Sequence, residues 1–354
     1  MPSTLGIVDS NGRIYLNEII YGGSGATVNS GAYQWSFSGF GTKYANISNP
    51  FPPIPPISTT IISDIDISLD GLDIAFAGQS TPYVAVYPWS RSSGFGTKYS
   101  DPSTPLTDWA YGVSFSPSKT AIAVASEESP YVHAYSWSNG FGSKYSDPAS
   151  GLSTTGKGIS FSADGNSVIV SGGFNELSAW QWSNSTGFGT KYTNAASAQS
   201  IESIHVSKSG SNIICANNNP SGPPVQAWPW SNGFGTRYAN PPSFPTVQGF
   251  DARFSPKETA IVFGNNLDEA ETVGAYAYTW ISGVGFGTKY SSSITNRAMQ
   301  SVDFSNTGDV VVFAETASPF LRAKKWSDST GFGTTYANPS TAASDARVVR
   351  FVSK

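Results

Sequence analysis

The sequence predicts an all-β fold, a seven-bladed β-propeller with four antiparallel strands in each blade. The motif Gly-Phe-Gly-Thr-Lys-Tyr or a near-copy of it occurs seven times, starting at Gly39, Gly94, Gly140, Gly187, Gly233, Gly285 and Gly331. The steps between these starts are 55, 46, 47, 46, 52 and 46 residues, the size of a propeller blade. Charged residues make up only 12% of the 354 residues while aromatics reach 14%, which suits short strands and tight polar turns better than long charged helices. The repeat places all of 1–354 in one propeller domain.

Each unit reads as four strands. In the third, Val113-Ser114-Phe115-Ser116 alternates and ends on the turn formers Pro117-Ser118-Lys119. Ala121 to Ser126 is a short apolar run, and Tyr131 to Trp137 alternates again. After the turn Ser138-Asn139-Gly140, a last strand ends at Asp147-Pro148. Period-2 runs bounded by Gly, Pro, Ser and Asn mark strands and hairpins.

A Trp precedes each glycine turn: Trp35, Trp89, Trp137, Trp182, Trp230, Trp280 and Trp326. Inside the turns stand Phe40, Phe95, Phe141, Phe188, Phe234, Phe286 and Phe332. Their expected role is structural, filling the space between blades with bulk of low entropic cost, and the glycines permit the turn. The alternative is a set of equivalent ligand pockets. The basic position of the motif, Lys43, Lys98, Lys144, Lys191, Arg237 and Lys289, forms a positive belt if the last strand is outermost.

Aligning the opening strands gives one polar position per unit: Asp66, Ser114, Ser160, His205, Arg253, Asp303 and, from the C-terminal segment, Arg350. The strand at about 346–352 is expected to close the ring beside the first blade, which removes two exposed edges. Gly6 to Gly12 also resembles an opening strand, so either terminus can take the innermost place. In ring order Arg253, Asp303, Arg350 and Asp66 alternate in sign, which reads as a structural network, with a ligand or ion site in the channel as the alternative. The proline-rich stretch Asn49 to Pro56 reads as a stiff connector. Its Phe51 and Ile54, with Ile57 just beyond, are candidate partner contacts.

No contiguous catalytic motif appears. His133 and His205 lie in different units, no Gly-x-Ser-x-Gly elbow or phosphate-binding glycine loop is present, and Asp64-x-Asp66-x-x-x-Asp70-Gly71 departs from a calcium loop. One cysteine, Cys215, excludes an intrachain disulfide and a cysteine zinc site. The net charge of −4 and the absence of basic runs argue against nucleic acid. The opening residues lack the basic start and apolar run of a secretory leader, and no stretch of about 18 apolar residues suggests membrane insertion.

The strand followed by Ser-Pro, as in Phe115-Ser116-Pro117 and Phe254-Ser255-Pro256, resembles WD-repeat and YVTN-like propellers, without their Gly-His and Trp-Asp dipeptides. The Trp-Ser…Gly-Phe-Gly-Thr-Lys-Tyr…Asn/Asp-Pro unit resembles repeats in proteins of tailed bacteriophages. That resemblance implies a non-enzymatic structural or interaction module, a virion component made in the host cytoplasm, such as a capsid decoration or tail/adhesion protein. Its expected partners are other virion proteins or a host-surface receptor or glycan, with no cofactor. The alternative is a lectin with repeated inter-blade sites, soluble in the cytoplasm or released. A lectin needs the shared aromatics exposed in most units, whereas a structural module needs them buried.

Overall fold

The computed structural model describes residues 7–8, 14–15, 17–22, 24–25, 30–36, 38–47, 60–173, 175–219, 221–266, 273–291, 294–295, 297–340 and 346–352. Phe51, Ile54 and Ile57 lie outside them, as does the acidic insertion at 267–271.

The described residues form seven antiparallel sheets in a ring and no helix. Blade 3 shows the pattern, its strands Ala110–Phe115, Ala121–Ser126, Val132–Trp137 and Phe141–Lys144 pairing in chain order. Blade 5 keeps three full strands, its fourth reduced to the bridge between Trp230 and Phe234. The strands Thr60–Ile67, Ala110–Phe115, Gly156–Phe161, Ile201–Val206, Gly249–Phe254, Met299–Phe304 and Val348–Phe351 open blades 2 to 7 and blade 1. Each touches the next and the last touches the first, so together they wall a central channel.

Ring closure falls to the C-terminus. Val348–Phe351 pairs with Asn17–Gly22 and takes the innermost place of blade 1. Ile7–Val8 pairs only with Ile14–Tyr15, in a separate two-stranded sheet. Of the N-terminal segment that resembled an opening strand, the described residues Ile7 and Val8 thus pair outside blade 1.

Seven apolar clusters hold the ring, each drawn from two successive blades. Between blades 3 and 4, for example, Ala123, Val132 and Ala134 meet Val168, Val170 and Trp182. Such fully buried second strands read as continuous apolar runs because both faces are covered. The opening strand ends in a serine for a local reason. The Oγ atoms of Ser68, Ser116, Ser162, Ser207, Ser255 and Ser305 accept the N–H five residues on, which closes the turn into the second strand.

The Gly-Phe-Gly-Thr-Lys-Tyr motif works as a latch. Its Phe lies edge-to-face on the Trp of its own blade, as in Trp137–Phe141 at 5.2 Å. Its Tyr reaches forward to the Trp of the next blade. The pairs Tyr44–Trp89, Tyr99–Trp137, Tyr145–Trp182, Tyr192–Trp230, Tyr238–Trp280, Tyr290–Trp326 and Tyr336–Trp35 run round the whole ring at 4.9–5.6 Å. Edge-to-face aromatic pairs add about 0.5–1.5 kcal/mol each beyond burial. The first glycine of the motif explains itself here. Gly94 has φ +79°, and a Cβ on it would meet the Tyr44 ring at 3.1 Å. The seven Trp side chains are at most 6% exposed.

The basic position ends the outermost strand at Lys43, Lys144, Lys191 and Lys289 but lies outside strands at Lys98 and Arg237, and its charges are engaged locally. Lys98 pairs with Asp101, Lys144 with Asp147 and Lys191 with Glu176, while Lys289 sits over the Tyr276 ring. In blades 2 and 3 the Lys pairs with the Asp of the following Asp-Pro, three residues on, and these local contacts leave little of a free positive belt.

Candidate functional site in the central channel

The aligned polar position of the opening strands faces the channel, and its first task is to join blades. Asp66 Oδ2 accepts the N–H of Phe115 at 2.6 Å, and Ser114 Oγ accepts that of Phe161 at 3.3 Å. His205 Nδ1 accepts the N–H of Phe254 at 3.1 Å, and Asp303 Oδ2 that of Phe351 at 2.7 Å. Arginine has no lone pair to offer, so Arg253 donates instead, from Nε to the Val302 carbonyl. Ser160 donates to the carbonyl of Phe161 on its own strand.

Two residues back, a second row repeats the device. Asp64, Asp251 and Ser301 accept the N–H groups of Val113, Val302 and Val349. Arg350 enters this row from blade 1. Its guanidinium contacts Asp64 at 3.0 Å, Asp251 at 3.1 Å and Ser301 Oγ at 2.8 Å, so the C-terminal strand is clasped to blades 2, 6 and 7. The alternating sequence Arg253, Asp303, Arg350, Asp66 is thus not a chain of ion pairs. Asp66 and Asp303 take backbone N–H groups, and the acids of the row above take the arginine.

All of these groups except Asp303 line one cavity of about 360 Å³, within the usual range of small-molecule sites. Its mouth is formed one residue further back. In six blades the strand register slips there, and a bulge re-aims a side chain. Ser63, Tyr111, Lys157, Glu202, Phe250 and Gln300 come to line the opening together with Arg347. The Lys157 ammonium lies 3.6 Å from the centre of the Tyr111 ring, whose hydroxyl donates to Glu127. Asn218 donates to Glu202.

Burial sets the protonation of the floor. Asp66 is pushed up to about 6 by burial and further by neighbouring Asp64, against the bond from Phe115. Burial also raises Asp64 and Asp303, with Arg350 and Arg253 offsetting part of the effect. For Asp251 burial is outweighed by Arg253 and Arg350, and the carboxyl stays below its ordinary range. His205 is held well below the ordinary imidazole value by burial and by the Arg253 charge, so it is neutral. Among the described residues, no group of three or more His, Cys, Asp or Glu is placed to hold a metal ion.

No protein-family model matches this sequence, and no curated protein matches it. Solved structures match along nearly the whole chain. The periplasmic gluconolactonase of Pseudomonas aeruginosa aligns with a TM-score of 0.69 at 14% identity, over 96% of this chain and 99% of that one. A Bacteroides fragilis propeller provisionally named a 6-phosphogluconolactonase aligns at 0.68 and 11%, over 99% of both. The Swd1 β-propeller domain of Myceliophthora thermophila aligns at 0.57 and 12%, over 82% of this chain and 90% of that one. Likeness at this identity shows the propeller fold.

The expectation of a non-enzymatic module is corrected by these findings. Two propellers that align along the full length carry lactonase names. The inter-blade lectin alternative also fails, because the shared Trp rings are covered. The physical reason for the error is separation in sequence. Arg350 and Asp64 lie 286 positions apart, and only ring closure brings them to one cavity, so a search for contiguous catalytic motifs cannot see them.

Proposed function

We propose that the protein is a hydrolase of small polyhydroxylated lactones, acting in the central channel; the names of its full-length structural neighbours suggest this reaction class. The observation that carries the reading is one cavity faced by a carboxyl group raised to about 6, a neutral imidazole and two guanidinium groups: Asp66, His205, Arg253 and Arg350. Perturbed titratable groups converging on a cleft mark functional sites more often than ordinary surface.

Lactone hydrolysis needs a base for water, an acid for the leaving ring oxygen and a positive field for the tetrahedral oxyanion. Asp66 suits the first two roles. Above about pH 6 it is ionised, yet it is more basic than an ordinary aspartate. As the water oxygen bonds to the carbonyl carbon, Asp66 takes its proton. The ring C–O bond then breaks, and Asp66 returns the proton to the leaving alkoxide. One lactone and one water give one hydroxy acid. Arg253 and Arg350 supply positive charge near the developing oxyanion, and the polar mouth offers partners for substrate hydroxyls.

The test is a pH-stat assay of purified protein on glucono-δ-lactone, its 6-phosphate, a γ-aldonolactone and unsubstituted δ-valerolactone, with spontaneous hydrolysis subtracted. The reading expects an aldonolactone to be opened faster than valerolactone, and Asp66→Asn to lower kcat by about 10²–10⁴-fold. Background rates for every lactone would overturn it.

A further inference from the structure

His205 occupies a position in the fold that dictates which of its nitrogens carries the proton. In other blades the same position is filled by Asp66, Ser114 and Asp303, and each accepts the backbone N–H of the following blade. His205 does the same through Nδ1, 3.1 Å from the Phe254 nitrogen. A ring nitrogen that accepts an N–H holds a lone pair, so the proton of the neutral imidazole is on Nε2. Adding a proton to Nδ1 would set two N–H groups against each other inside the blade interface.

The surroundings hold the ring in that state. Burial, Arg253 and Arg350 all disfavour the imidazolium, and only Asp251 favours it. His205 lines the channel cavity, and among the described residues Nε2 donates to no protein acceptor. The floor therefore holds a neutral donor whose protein-side valence is already used at Nδ1. A base needs a free lone pair, and this imidazole has none facing the cavity.

We infer that His205 is the hydrogen-bond donor to the lactone carbonyl oxygen, and not the base of the reaction. The inference rests on the lactone-hydrolase reading above. As water adds, the carbonyl π electrons move onto oxygen and the Nε2–H···O bond strengthens. No proton is transferred at this site, and the electron pair returns to the carbonyl when the ring C–O bond breaks.

Two substitutions separate the donor from the structural acceptor. In His205→Gln the amide oxygen can accept the Phe254 N–H while the NH₂ faces the channel. In His205→Glu a carboxylate oxygen accepts the same N–H, but no donor remains at neutral pH. The inference expects H205Q to keep kcat within about tenfold of wild type, and H205E to lose about 10²–10³-fold in kcat with a smaller change in KM. Thermal unfolding checks that both variants are folded. Equal activity of the two folded variants would overturn the donor role.

A readout independent of turnover is ¹⁵N NMR of ring-labelled histidine, assigned by loss of the signal in H205Q. The expected pattern is protonated Nε2 and lone-pair Nδ1 throughout the neutral range. A Nδ1–H tautomer, or an imidazolium titrating at the ordinary value, would overturn the donor role whatever the activity. Absence of lactone hydrolysis with the Nε2–H tautomer intact would overturn the reaction class alone.

Discussion

At the rim, Tyr99 meets Trp137 and Tyr290 meets Trp326 by the same edge-to-face contact, at 5.1 and 5.2 Å. In the channel, one strand position holds Arg350 in blade 1 and Asp66 in blade 2, and each has a different partner. The rim solves an identical problem at every blade interface, so one set of residues serves throughout. The axis passes through the molecule once. A single cavity has seven walls, and each wall can contribute a different group without disturbing the ring. Repetition therefore marks the rim latch, and departure from repetition marks the channel, whose groups join blades and face the cavity at once.

The largest expected effect comes from breaking the axis. Arg350→Met leaves Asp64 and Asp251 without their shared cation. Removing one partner of a buried ion pair costs about 3–5 kcal/mol, which denaturant unfolding will show. A loss below about 1 kcal/mol would mean that the clasp is incidental to closure.

Asp66→Asn sharpens the contrast between folding and function. A carboxyl raised to about 6 in the folded state opposes folding when ionised, by up to roughly 3 kcal/mol at pH 7. The sign is fixed by linkage. Wild type recovers this stability as pH falls from about 6 towards 4, where the folded protein holds the proton and the unfolded chain does not. The variant is expected to melt higher than wild type near pH 7, with the gain fading by about pH 4. A gain that grows on acidification would contradict the assignment.

Two glycines, both at positive φ, probe the rim. Gly94 carries the Tyr44 ring against it, while Gly283, at φ +77°, has nothing within 4 Å of where a Cβ would sit. Alanine at Gly283 is expected to cost about 1 kcal/mol of backbone strain, and at Gly94 a further 1–2 kcal/mol for displacing the ring. Equal melting temperatures for the two variants would show that the latch yields freely. The smallest effect is expected from Lys98→Ala. Its ion pair with Asp101 is partly exposed, and pairs of this kind contribute roughly 0–1 kcal/mol.

The same contrast explains what was legible in the sequence. Blade number and strand order followed from repetition and from the apolar-Ser endings of the opening strands, while the innermost place of blade 1 stayed open between the two termini. The tyrosine of the motif went unassigned, because its Trp partner lies in the next repeat and spacing within one unit cannot reveal it. The charged channel position was visible by alignment. Its partners were not, since Asp64, Asp251 and Ser301 stand two residues back, and their pairing with Arg350 depends on the stagger between blades. The mouth was hidden for another reason. A strand bulge turns Tyr111 and Glu202 towards the channel, against the alternation that period-2 reading assumes.

The most direct test of the account is the pH dependence of kcat/KM for glucono-δ-lactone in wild type and Asp66→Asn, corrected for spontaneous opening. The account predicts an acid limb in wild type with an apparent pKa of about 6, and loss of both the limb and most of the activity in the variant. A fully active variant with an unchanged profile would contradict it.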